Sequence, residues 1–253
     1  MCELFGLSAS RAPDAGPWLR HFRARGGETA DNDDGWGLAY LQNDRFQLHK
    51  EPTAGANSAL FARLCTMVHS PLIVGHVRRA RYPRVNSLDN THPFLRTCCG
   101  QQWVFAHNGL VPEILQEPDT RLEGLCLPQG QTDSEYAFCY LLERIAAHFK
   151  PDASVDSLLG FDGVAAAAGL IATHGKFNFL MSDGVSLIAY GHDRLHHLEI
   201  SDTNLHGTVI ATEPLTDDAW RIFLPGELRI YQAGNLMAQS QTRSEASVYR
   251  AEK

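Results

Sequence analysis

No stretch of this 253-residue chain is apolar and long enough to cross a bilayer. Its start lacks the basic segment and apolar core of a secretory signal, so a retained, cytoplasmic protein is expected. Positive charge is scarce as well. The 22 Lys and Arg against 29 Asp and Glu leave a formal net charge of -7, which argues against nucleic acid or anionic membrane as a general partner. The six cysteines, Cys2, Cys65, Cys98, Cys99, Cys126 and Cys139, contain no C-x-x-C pair. A chain of this length does not need disulfides to hold its core, so all six are expected to be reduced. The adjacent His196 and His197 read as strand neighbours facing opposite sides, unable to share one ion. Neither a metal nor a cofactor is expected. Internal repeats, low-complexity tracts and Pro/Ser-rich linkers are all missing, which leaves residues 1–253 as a single domain.

What is present is a soluble globular pattern of short elements. Leu4–Ser8 and Trp36–Leu41 read as strands, with a helix around Pro17–Arg25 between them. Arg45–Lys50 should pair back on the second strand across the turn residues Gln42-Asn43-Asp44. Ala59–Val68 reads as a helix leading into the apolar strand Leu72–Val77. Trp103–Ala106 is a further short strand, closed by Asn108-Gly109 as a turn. In Asp133–Phe149 the apolar residues Phe138, Leu141, Leu142, Ile145 and Phe149 recur at helical spacing, and Thr132 with Glu135 forms a capping box at its start. Ala-rich Ser157–Ile171 should be a second packing helix. Phe177–Ser182 and Val185–Tyr190 flank the hairpin signal Asp183-Gly184, and Arg194–Ile200, Thr208–Ala211 and Glu227–Gln232 continue as strands, with Pro225-Gly226 as a turn. Grouped helices and tightly linked strands predict an α+β domain with mostly antiparallel sheets and helices outside them.

Several positions carry chemistry. Cys2 directly follows the initiator methionine, which is normally trimmed before so small a side chain. The trimmed chain would join a thiol and a free α-amine on one residue, so nucleophile and general base come together. An α-amino pKa of about 7.7–8.0 and a thiol pKa of about 8.5 need little tuning for that role. The plainer alternative is a buried Cys in an N-terminal strand. The apolar strand at Leu72–Val77 runs into Arg78-Arg79-Ala80-Arg81. A guanidinium at a strand end can clamp a carboxylate, although a solvated basic cluster would have the same composition. Asn108-Gly109 offers an amide and a glycine N–H suited to an oxyanion hole, or an ordinary turn. Asp133 at a helix start either complements the dipole or receives an ammonium group.

Seven segments occur in order: Met1-Cys2-Glu3-Leu4, Asp34-Gly35-Trp36-Gly37, Gly75-His76-Val77-Arg78, Asn90-Thr91-His92-Pro93-Phe94, His107-Asn108-Gly109, Thr132-Asp133-Ser134-Glu135 and Ala211-Thr212-Glu213-Pro214-Leu215. Together they resemble the class II glutamine amidotransferase domain of the N-terminal nucleophile hydrolase superfamily. Within it, the chain is most similar to stand-alone YafJ-type bacterial members with no attached synthase domain. The resemblance runs from residue 1 to about residue 235. It implies a four-layer αββα sandwich of two antiparallel sheets between helix layers.

By position, the resemblance also implies roles. Cys2 would be the nucleophile, Asn108 and Gly109 the oxyanion hole, Arg78 the grip on a glutamine α-carboxylate and Asp133 the holder of its α-ammonium. His76, Trp36 and His92 fall in pocket-forming motifs. Many relatives follow the strand arginine with an aromatic or aliphatic residue, Ala and Thr. Here the run is Arg79-Ala80-Arg81, so that hydroxyl is missing and Arg81 adds charge. The implied activity is hydrolysis of the γ-amide of glutamine or a γ-glutamyl compound through a Cys2 thioester. One alternative is specificity for larger γ-glutamyl conjugates or peptides. Another is a weakly catalytic subunit that binds a partner. Any ammonia released would need a separate synthase subunit to be used.

Overall fold

The computed structural model describes residues 2–81, 84–148, 161–203 and 205–242. In chain order the elements are β1 (Glu3–Ala9), α1 (Gly16–Ala24), β2 (Gly35–Gln42), β3 (Arg45–Glu51), α2 (Ala59–Met67), β4 (Leu72–Arg78), β5 (Phe94–Cys98), β6 (Gln101–Leu110), α3 (Asp133–His148) and α4 (Phe161–Thr173). There follow β7 (Lys176–Ser182), β8 (Ser186–Gly191), β9 (His196–Asp202), β10 (Leu205–Ala211), β11 (Arg221–Ile222), β12 (Glu227–Gln232) and β13 (Asn235–Gln241). One sheet has the order β11-β9-β10-β1-β4-β2-β3 and the other β13-β12-β8-β7-β6-β5. Both are antiparallel: for example, β1 lies between β10 and β4, and β6 between β5 and β7.

Side-chain alternation along the strands builds the layers. On β1, Phe5 and Leu7 face α1 and α2, where they join Leu19, Phe22 and Phe61. Leu4 faces the other way and joins Val74, Val104, Ala106 and Leu180 in the layer between the sheets. On β6, Trp103 and Phe105 turn outward to Phe138 and Leu141 of α3 and Ile171 of α4. The result is an αββα sandwich with three apolar layers. Its central strands are buried on both faces, which is why apolar residues occupy both alternations along most of their length.

Local signals behave as their chemistry dictates, with exceptions. The Ser58 hydroxyl accepts from the Phe61 N–H at 3.0 Å and caps α2, a contact typically worth about 1 kcal/mol. Thr132 caps α3 by accepting from the Glu135 N–H at 3.1 Å. The Glu135 carboxylate does not complete a capping box. It accepts from the Gly130 N–H at 2.6 Å and pairs with Arg96. Asn108-Gly109 is not a turn either, because β6 continues through it and pairs with Asn178 and Phe177 of β7. The cysteines need correction as well: Cys126 and Cys139 are bonded, their Cα atoms 5.0 Å apart and within disulfide range. Strands β5, β11 and β13 go beyond those read from the sequence. Phe149 and residues 157–160 of the predicted helices lie outside the described residues. Among the described residues no helix is long and apolar enough to cross a membrane.

Candidate active site

The site forms where the layer between the sheets reaches the end of the sandwich and its inward rows change from apolar to polar. Leu4, Leu72, Val74, Val104 and Ala106 point into that layer. Continuing by twos along the same faces come Cys2 before Leu4, His76 and Arg78 after Val74, and Asn108 after Ala106. All four line a cavity of about 450 Å³, together with Arg79, Arg81, His92, His107, Gly109, Asp133 and Lys176. The two sheets that bury the core between them thus also aim these side chains at one space.

Cys2 is fastened to the end of β4. Its Sγ accepts from the Arg79 N–H at 3.2 Å and lies 3.3 Å from the Arg79 carbonyl oxygen, to which the thiol donates. Burial pushes the thiol pKa up, while the Arg79 N–H and the Arg78 charge pull it down. The resting group is therefore a thiol, and a base has to take its proton when it attacks.

The Arg78–Arg81 run is held by an acid and an amide. The Asp34 carboxylate accepts from the Ala80 N–H at 2.7 Å and from the Asn86 side-chain amide at 3.1 Å. The Asn86 carbonyl in turn accepts from Arg78 at 3.0 Å, orienting a guanidinium that is only 3% exposed. Arg79 reaches outward to Asp31, 2.6 Å from its carbonyl oxygen and 3.4 Å from its carboxylate. Lys176 is paired with Asp193 at 2.5 Å. Arg81 lines the cavity with an exposed side chain and has no hydrogen bond or ion pair among the described residues.

Three buried imidazoles back the cavity. Burial, with the charge of Arg78 behind it, holds the His76 pKa down at about 3. Burial likewise depresses His92 and His107. All three are neutral at neutral pH, so the cavity's positive charge comes from arginine and lysine. The His107 Nε2 lies 3.1 Å from the Lys176 carbonyl, an acceptor only, so Nε2 carries the proton. Nδ1 then accepts from the Ser134 hydroxyl at 2.8 Å, tying β6 to the start of α3. His92 Nδ1 accepts from the His107 N–H at 3.3 Å, and its ring lies 4.2 Å from that of His76. Neither ring nitrogen of His76 has a hydrogen-bond partner among the described residues. Asp133 opens α3, accepting from the Val111 N–H at 2.6 Å and the Ser134 N–H at 2.8 Å.

Eight of the nine predicted site residues meet at this cavity: Cys2, His76, Arg78, Arg81, His92, Asn108, Gly109 and Asp133. Trp36 does not. It turns to the helix side of β2, stacks on Phe61 at 4.3 Å and donates to Glu51 at 2.9 Å. The motif around it serves the site through its neighbours Asp34 and Gly37. A Cβ on Gly37 would come 2.2 Å from the His92 carbonyl oxygen, so only glycine lets the His92 segment rest on β2. A Cβ on Gly109 would lie 1.7 Å from the Lys176 carbonyl oxygen.

Thr212 and Asn178 are contributors that sequence reasoning did not single out. The Thr212 hydroxyl accepts from the Leu4 N–H at 2.9 Å and from the Asn108 amide at 3.3 Å. The Asn178 side chain donates to the Asn108 carbonyl at 3.1 Å. His196 and His197 have separate surroundings, the first at the Thr212 carbonyl and the second beside Arg229 and Phe223. Among the described residues no group of three His, Cys, Asp or Glu is disposed to hold a metal ion.

The family model for class-II glutamine amidotransferases matches residues 1–201 and 199–253. The chain is 34% identical over 260 residues to YafJ of Escherichia coli, a candidate glutamine amidotransferase, covering 92% of this chain and 98% of that one. Among solved structures, a predicted glutamine amidotransferase from Pseudomonas aeruginosa superposes with a TM-score of 0.67 at 29% identity, covering 94% of this chain and 100% of that one. The glutamine phosphoribosylpyrophosphate amidotransferase of B. subtilis superposes with a TM-score of 0.70 over 96% of this chain and 49% of its own. At 19% identity that likeness speaks for the fold alone, the αββα sandwich described above.

Proposed function

This chain belongs to the class II glutamine amidotransferases, and within that family we propose that it hydrolyses the γ-amide of glutamine or a γ-glutamyl compound through a thioester on Cys2. One observation carries the reading: Cys2, Asn108, Gly109, Arg78 and Asp133 surround a single cavity. Arg78 and Asp133 are complementary to the carboxylate and ammonium of an α-amino acid head. With that head held, the γ-carbonyl meets the Cys2 thiol.

The mechanism follows from the resting thiol. With Met1 removed, the α-amine of Cys2 takes the thiol proton as sulfur attacks the γ-carbonyl carbon. The Arg79 N–H that already donates to Sγ supports the forming thiolate. Charge grows on the carbonyl oxygen, and the Asn108 amide with the Gly109 N–H stabilises it. The leaving nitrogen takes the proton back from the amine, and a γ-glutamyl thioester remains. Water, deprotonated by the same amine, then releases glutamate. The neutral histidines shape the pocket and leave its charge to the arginines.

A second reading is favoured by Arg81, which stands at the cavity without a partner among the described residues. A γ-glutamyl compound whose leaving amine bears a carboxylate would meet that guanidinium, whereas glutamine would not. A glutamate-release screen over glutamine and a set of γ-glutamyl amides separates the two. Mass spectrometry of active protein should show Met1 absent, and Cys2→Ala or Cys2→Ser should remove most turnover. Full activity in protein that retains Met1 would exclude the amine as base. An inert protein that still binds a synthase would instead mark a partner-binding subunit.

A further inference from the structure

Two cysteines unused by this site stand side by side at the far end of the hairpin that carries Asn108. Cys98 pairs with Gln101 across β5 and β6, leaving Cys99 and Gly100 as a two-residue loop. Their φ angles of 56° and 82° lie in the left-handed region, the geometry of a type I′ turn that favours Asn-Gly. Gly100 meets that demand. Cys99 has no conformational reason to be there, since a side chain costs energy in this region. What the turn does accomplish is to bring two thiols together, with their Sγ atoms 3.1 Å apart. That is roughly 1 Å beyond a disulfide bond, a gap that side-chain rotation can close.

The two thiols are unequal. Cys98 is 7% exposed, with its Sγ directed at the Leu142 carbonyl of α3. Burial, with the neighbouring thiol, pushes its pKa up to about 12, which makes it a poor first nucleophile. Cys99 is half-buried, and the space beside Gly100 is open. An oxidant arriving from solvent therefore meets Cys99 first.

We propose that Cys98 and Cys99 form a reversible two-electron redox site that reduces hydrogen peroxide by closing a vicinal disulfide. The Cys99 sulfur attacks one peroxide oxygen; the O–O bond breaks, giving a sulfenic acid and water. The Cys98 sulfur then attacks the Cys99 sulfur, the S–S bond forms, and the sulfenic hydroxyl leaves with the Cys98 proton as a second water. Two thiols have lost two hydrogens, and one peroxide has become two waters. Adjacent Cα atoms are about 3.8 Å apart across a trans peptide, less than the usual disulfide span of about 4.4–6.8 Å. The closed bond is accordingly strained and readily reduced by small thiols. Cys126 and Cys139, with 5.0 Å between Cα atoms, lie within the usual span.

Trypsin cutting after Arg96 and Arg121 isolates both thiols on one peptide, residues 97–121, with no other cysteine. The full chain is treated briefly with hydrogen peroxide, its remaining thiols are alkylated, and it is then digested. The peptide should appear unalkylated and two hydrogens lighter than the dithiol, and should revert with dithiothreitol. Cys99→Asn suits the turn and should melt no lower than the wild type. It should abolish the two-hydrogen loss and leave Cys98 alkylated at a peroxide dose that converts half of the wild type. Exposed Met67 reports that oxidant was delivered. Two alkylated thiols on residues 97–121 at a dose that oxidises Met67 would overturn the proposal. So would oxidation to sulfinic acids without a bridge, or a link from either residue to a cysteine elsewhere.

Discussion

Replacing Thr212 with Val removes one hydroxyl while keeping the shape of the side chain, and the structure separates what that should do to stability from what it should do to rate. The hydroxyl accepts from the Leu4 N–H at 2.9 Å and the Asn108 amide at 3.3 Å, so it ties one sheet to the other at the cavity. In Thr212→Val the Leu4 N–H, buried at the centre of a sheet, loses its acceptor. An unpaired buried donor costs about 1–3 kcal/mol, and each kcal/mol lowers the melting temperature of a chain this size by roughly 2–4 °C. The effect on rate has a ceiling. Complete loss of an oxyanion donor lowers kcat by about 10²–10³. Thr212 only aims the donor, so its loss should lie well below that, at roughly tenfold, or about 1.4 kcal/mol of barrier. Denaturation curves and kcat and KM from glutamate release measure both effects, and Thr212→Ser, which restores the hydroxyl, should recover both. A Val variant that melts lower but keeps its kcat would refute the aiming role and leave Thr212 as a purely structural tie.

Four further outcomes follow from the same geometry. Asn108→Ala should lower kcat by roughly 10²–10³ with little change in KM, and Asn108→Asp should do at least as much damage; a change confined to KM would make Asn108 a ground-state contact. Arg78→Ala or Asp133→Asn should raise KM for every γ-glutamyl substrate, since each leaves a ligand charge unpaired, and an unaltered KM would unseat the head-group assignment. Arg81→Thr should improve kcat/KM for glutamine relative to a γ-glutamyl compound with a second carboxylate, and an unchanged ratio would remove Arg81 from substrate recognition. Stability should fall as pH drops from about 6.5 toward about 3, because unfolded histidine binds a proton that buried His76, with its pKa held at about 3, refuses. Each such histidine contributes a slope of up to about 1.4 kcal/mol per pH unit, and His92 and His107 act in the same direction. His76→Gln should flatten the slope in urea melts, and parallel slopes would show that His76 is not protected from protonation.

Much of the fold was legible because its strands and helices carry strong local signals. Buried apolar runs such as Leu72–Val77 and turn pairs such as Asp183-Gly184 act within a few residues. The strands that escaped notice lack such signals. β13 and β5 lie at the two edges of their sheet, where one side has no strand neighbour. β13 is mostly exposed, with the sequence Asn-Leu-Met-Ala-Gln-Ser-Gln, and β11 has only two residues. β5 and β13 are the outer arms of tight hairpins with β6 and β12, whose turns Cys99-Gly100 and Ala233-Gly234 carry only one turn residue each, while β11 pairs with the more distant β9. The Cys126–Cys139 bond was illegible because a thirteen-residue separation says nothing about the distance between two Cα atoms. Asn108-Gly109 misled in the opposite direction. The dipeptide has turn chemistry, but seven residue pairs with β7 hold it in a strand.

The site itself contains a signal that strand parity makes readable. Counting by twos along β4, Leu72 and Val74 are apolar and inward, and His76 and Arg78 continue that row. Along β6, Val104 and Ala106 are followed by Asn108. Along the first strand, Leu4 is preceded by Cys2. An inward row that turns polar at the end of a sandwich either leaves the fold there or lines a cleft. All three rows do so at the same end, which calls for a shared cleft rather than three separate surface exits. Trp36 fails the same test, because Leu38, two residues on, faces the helices, and so Trp36 packs on Phe61 instead of reaching the cavity. The same parity reaches Thr212, two residues past inward Ile210, and Asn178, two before inward Leu180; it does not reach Asn86, a loop residue brought to Arg78 by loop closure.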